Sequence, residues 1–92
     1  MNRIEELIGM ARDLAEGVVE IAGGLLSTGV DLTLAHIRYV APAIELLSDA
    51  EMLALRAVAD DGDALIALER ATTALADLRD KALAELDQSE RP

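Results

Sequence analysis

Few residues in this chain are of a type and spacing that could do chemistry. The tetrad Asp60-Asp61-Gly62-Asp63 is the nearest thing to a cation loop. An EF-hand loop needs oxygen ligands at its first, third and fifth positions, glycine at the sixth and glutamate at the twelfth. With Gly62 as the sixth residue, the first, third and twelfth fall on Ala57, Ala59 and Leu68, none of which offers a side-chain oxygen. The tetrad therefore reads as a solvated turn between helices, with Asp63 as the expected helix cap.

His36 is the only imidazole, and there is no cysteine. This excludes disulfides, thiolate metal sites and cysteine nucleophiles. No second histidine completes a metal pair, and no Ser–His–Asp spacing suggests a triad. His36, Arg38 and Tyr39 lie close in sequence. On a helix, His36 and Tyr39 can share an edge, but Arg38 points elsewhere and does not readily join them. The expected arrangement is a half-buried His and Tyr at the rim of a helix interface, with Tyr39 as a contact anchor. No pair of carboxylates sits in an apolar setting that would shift its proton affinity. The expectation is a non-enzymatic chain, with no catalytic, cofactor-binding or metal-binding residues.

Arg79 falls inside an apolar face near Leu68, Leu75, Leu83 and Leu86. Either its stem packs there while its head reaches water, or it sets register through an ion pair with another helix or subunit. Thr72, one heptad earlier on the same line, fits the second reading.

The elements that must position these residues are helices. With Ile4 at heptad position a, the a and d positions are Ile4, Leu7, Ala11, Leu14, Val18, Ile21 and Leu25. Glu5, Glu6, Arg12, Asp13, Glu16 and Glu20 all fall at b, c or f, which predicts a coiled-coil-like seam with a charged back. Gly9, Gly17, Gly23 and Gly24 each weaken that helix unless they permit close helix–helix approach, and both readings stay open. Gly29 is the expected left-handed residue closing the helix, with Val30 folding back on Leu25. Asp31 or Thr33 is the expected cap of the next element.

The segment Leu32 to Leu47 is apolar most of the way round, apart from a stripe of Asp31, Arg38 and Glu45. Such a helix is buried on most sides. Pro42 within it predicts a kink or a new start near Ala41. Ser48-Asp49-Ala50-Glu51 has the form of a capping box and predicts a separate short helix, about Asp49 to Ala59. The last helix is expected from about Ala64 to Leu86, with Leu65, Leu68, Ala71, Leu75, Leu78, Ala82 and Leu86 on its apolar face. A frayed tail over 88–92 is expected beyond a single domain of 1–87.

Composition sets the outer bounds. Aliphatic and other apolar residues make up 52% of the 92 residues, Tyr39 is the sole aromatic, and the net charge is −10. That charge disfavours nucleic acid and anionic membranes as direct partners and is compatible with a basic protein partner. No stretch reads as a signal peptide or a spanning helix, and the expected location is the cytoplasm. The expected fold is all-α: a small helical bundle with two long amphipathic helices and shorter hydrophobic middle helices, completed by oligomerisation, most simply as a dimer. The function that follows is a structural assembly or adaptor module acting through homo-oligomerisation and protein–protein contacts. Its interface residues would be Leu34, Ile37, Val40, Ile44 and Leu47, with Tyr39 at the rim and Arg79 setting register. The alternative is an acidic inhibitor or decoy that blocks a basic, nucleic-acid-binding surface.

Overall fold

The computed structural model describes residues 2–90, and every element in it is helical. The first helix, α1 (Arg3–Ser27), begins where the Asn2 side chain accepts a hydrogen bond from the Glu5 N–H at 2.8 Å. Glu5 and Glu6 in its first turn complement the positive end of the helix dipole. Leu7, Ala11, Leu14, Ala15, Val18, Ala22 and Leu25 are buried, so the heptad seam, widened by Ala15 and Ala22, is spent inside the chain. α1 closes as the sequence predicts. Gly29 has φ +95°, its N–H donates to Leu26 O, and the Val30 N–H donates to Leu25 O, each at 3.1 Å.

Asp31 supplies the next cap, accepting from the Thr33 N–H at 2.8 Å. A middle rod then runs without interruption through α2 (Leu32–Ala35), a π turn (His36–Val40) and α3 (Ala41–Val58). This corrects the expected break at Ser48. Ser48 and Asp49 are exposed within a continuing helix, so their side chains are solvated and no cap forms. Pro42 does not split the rod either. Its ring needs room around the preceding turn, and the π turn supplies it. The Ala41 N–H reaches back five residues to His36 O instead of four.

The π turn also sets which way the first part of the rod faces. Ala43, Ala50 and Ala57 are buried and seven apart, two helical turns each. Ala35 is buried too, yet lies eight residues before Ala43. In an unbroken α-helix it would point about 80° away from that line. The one extra residue in the π turn brings it back.

The rod ends in a second reversal of the same kind. The Asp61 N–H donates to Arg56 O and the Asp60 N–H to Ala57 O. Asp60 takes the left-handed position at φ +67° without being glycine. The last helix, α4 (Gly62–Glu90), is capped by Asp61 rather than by Asp63: Asp61 Oδ1 accepts from the Ala64 N–H at 3.3 Å. Arg56 Nη2 lies 2.8 Å from Asp61 Oδ2. That hydrogen bond, followed by the one from the Ala64 N–H, holds the Asp61 carboxyl below its ordinary range. α4 buries Ala64, Leu68, Ala71, Thr72, Leu75 and Ala82. The Thr72 hydroxyl satisfies itself by donating to Leu68 O at 2.9 Å. Residues 88–90 continue the helix, and the remainder of the expected frayed tail, 91–92, lies outside the described residues.

Three rods thus lie side by side in a body of 51 × 21 × 16 Å. The radius of gyration, 14.6 Å, exceeds the roughly 12 Å of a compact chain of this length. α4 packs extensively on both α1 and α3, whereas α1 and α3 meet each other over a smaller area. The largest fully buried side chains, Val18, Leu25, Leu68 and Leu75, all come from α1 and α4. The middle rod gives the core Tyr39 and five alanines: Ala35, Ala43, Ala50, Ala54 and Ala57. Its large aliphatic side chains mostly face the other way.

Candidate functional site

The outward residues of the middle rod are Leu32, Leu34, Ile37, Ile44, Met52, Leu55 and Val58. Leu55, the most exposed, keeps 75% of its surface in solvent. Exposed large apolar residues on α1 and α4 are fewer: Met10, Val19 and Leu26 on the first, Ile66 and Leu83 on the second. Single exposed leucines are ordinary, but a contiguous set is informative.

The set is contiguous where α1 and α3 diverge. A shallow depression of about 630 Å³ lies among Ala15, Val19, Ala43, Ile44 and Leu47. It shares Ile44, Leu47 and Glu51 with a second along Met52 and Leu55. That one shares Glu51 and Leu55 with a third among Ile4, Ile8, Ala54 and Val58. Together they form one groove along the rods, with an aliphatic floor at both ends and carboxylates on its α1 lip, Glu16 and Glu20 at one end and Glu5 at the other. Arg12 on the α1 lip and Glu51 on the α3 lip stand near its middle, 4.0 Å apart, with side chains 60% and 48% exposed.

This geometry divides the residues expected at an interface. Ile44 and Leu47 line the groove together. Leu34 and Ile37 are exposed but line none of it. Ile37 instead borders a small separate depression with Leu32, Thr33 and His36. The extra residue of the π turn has rotated that part of the rod. Val40 is half-buried. Tyr39 is 7% exposed and sits inside the chain's own core rather than at a rim. Missing from the expected set were Arg12, Glu51, Leu55 and Val58. A spacing signal existed, since Ile44, Glu51 and Val58 are seven apart, but the supposed helix break at Ser48 cut through it.

The structure also assembles a polar knot. Tyr39 donates its hydroxyl hydrogen to Glu85 Oε1 at 2.7 Å, and Arg38 Nη1 donates to the same oxygen at 3.1 Å. The expectation that Arg38 and Tyr39 would stay apart is therefore corrected: a third residue, from α4, gathers both. Burial, then the hydrogen bond and charge of Glu85, push the Tyr39 phenol up to about 12, with Arg38 opposing. His36 is exposed and takes no part in these hydrogen bonds.

Arg79 lies with its side chain 42% exposed and Nη2 3.6 Å from the carboxylate of its neighbour Asp80. Its Nε is buried without a hydrogen-bond partner. A Cβ added at Gly17 would meet Arg79 Cδ at 3.8 Å, so the stem packs over that glycine. One at Gly24 would meet the Leu86 methyls at 3.4 Å. Gly17 and Gly24 thus mark where α4 approaches α1, whereas Gly9 and Gly23 face open space.

Among the described residues, no three His, Asp or Glu side chains gather as a metal site, and no helix is long and apolar enough to cross a membrane. No family model, curated protein or solved structure matches this chain.

Proposed function

We propose that this chain is a non-enzymatic helical assembly module that acts by self-association, with the dimer as the simplest form. The observation that carries the reading is the orientation of the middle rod, with alanines inward and Ile44, Met52, Leu55 and Val58 outward. Fully burying one such side chain is worth about 1.5–3 kcal/mol, and these four are 57%, 64%, 75% and 67% exposed in the single chain. The accessible surface of 5749 Å² supports the same reading. A compact monomer of 9.8 kDa exposes roughly 5,200 Å².

Light scattering across a concentration series tests this. The expected mass is a multiple of 9.8 kDa that falls toward the monomer on dilution. Replacing Ile44 and Leu55 with Glu should shift the protein to monomer. A constant monomeric mass for the unaltered chain would refute the proposal.

A second reading, an acidic decoy for a basic partner, rests on how the cations are used. Arg3, Arg12, Arg38, Arg56 and Arg79 each already lie beside a carboxylate of the same chain, leaving the surplus negative charge on the surface. Binding to a basic protein that collapses with rising salt would favour this reading, whereas self-association driven by aliphatic burial is salt-tolerant.

A further inference from the structure

We infer that the α1–α3 groove is filled by the same groove of a second copy, related by a two-fold axis parallel to the rods. This inference rests on the assembly reading and says where the interface lies and how it is keyed. At the middle of the groove the two lips carry opposite charges at the same level. Glu51 is midway between Ile44 and Val58, seven residues from each. Arg12 is eight residues after Ile4 and seven before Val19.

Two grooves can meet face to face by two simple two-fold operations. An axis across the rods sets α1 on α1 and α3 on α3, which places Arg12 on Arg12 and Glu51 on Glu51. An axis along the rods sets α1 of each copy on α3 of the other. Arg12 then faces Glu51 of the second copy twice over, and Glu5, Glu16 and Glu20 of each α1 lie over the other copy's α3, whose lining residues at those levels are aliphatic, rather than over its α1. Charge complementarity selects the second arrangement, because like charges placed opposite one another at an interface are strongly disfavoured. The apolar stretch on α3, fourteen residues or about 21 Å long, is flanked by α1 for its whole length. A standard interface takes about 800 Å² from each partner, roughly a seventh of the 5749 Å² available.

The test uses two charge reversals, Arg12→Glu and Glu51→Arg, in the full chain. Both side chains are half-exposed, so each variant should keep its helicity, checked by circular dichroism. Each alone should weaken self-association about tenfold or more, because two attractive contacts become repulsive. Mixed together, one variant carries Glu at both lips and the other Arg at both. They should form a heterodimer, read by native mass spectrometry, with affinity restored toward that of the unaltered chain. A charge effect confined within one chain cannot produce that rescue. Reversals that leave the dimer affinity unchanged, or a mixture that stays monomeric, overturn this inference and leave the assembly reading standing. So does an unaltered chain larger than a dimer. A chain monomeric at every concentration overturns both.

Discussion

Replacing Tyr39 with Phe removes one oxygen from the partly buried contact between the middle rod and α4 and leaves the ring in place. The lost hydrogen bond runs to an ionised acceptor, a class worth about 1.5–3 kcal/mol. Glu85 is 23% exposed and keeps Arg38 as a partner, so water and the guanidinium recover part of the loss. The expected destabilisation is about 1–2 kcal/mol, or a fall in Tm of roughly 5–15 °C for a domain of this size. A second measurement is independent of the first. Tyr39 is the only aromatic residue, so phenolate absorbance during alkaline titration reports this one site. In the folded chain its midpoint should lie near 12, displaced from 10.0 mainly by burial and then by Glu85. A folded value above the unfolded one means that the stabilisation is complete below pH 10 and is lost as pH rises toward 12. The Tyr39→Phe variant should lack this alkaline component. A folded-state midpoint at 10, or an unchanged Tm for the variant, would refute the buried-knot account.

The helix glycines give opposite expectations at neighbouring positions. Gly9→Ala and Gly23→Ala should each raise stability by about 0.5–1 kcal/mol in urea denaturation, because an added methyl meets nothing there. Gly29→Ala should lower stability by about 1 kcal/mol or more, since φ +95° is strained for any side chain. Asp60→Gly should raise stability by about 0.5–1 kcal/mol by relieving the left-handed strain at φ +67°; an unchanged denaturation midpoint would mean that Asp60 is not strained.

What could be read from the sequence was local. The α1 seam, the Gly29 reversal and the inward face of α4 are written in spacings of three, four and seven, and the structure uses them. Ser48 misled because a capping box stabilises a helix start without preventing a helix from passing through. With the preceding turn already helical and both side chains in water, continuation wins. Pro42 announced a disturbance without saying that a π turn would absorb it, which is why Ile37 was grouped with Ile44. Glu85 left no signal at all, because it lies 46 residues from Tyr39 and only the packing of α4 brings them together. The Arg12–Glu51 pairing across the groove was hidden for the same reason.

The π turn at 36–40 has a consequence for how this chain tolerates changes in length. A residue added to a helix normally turns everything before it by about 100° and unseats its buried face. Here the surplus residue is confined to one turn, and Ala35 still docks. Removing a single codon from this stretch would place Ala35 seven residues before Ala43, in step with an ordinary helix. The middle rod is therefore the place where the gene can lose one amino acid while Ala35 stays in register with Ala43, Ala50 and Ala57.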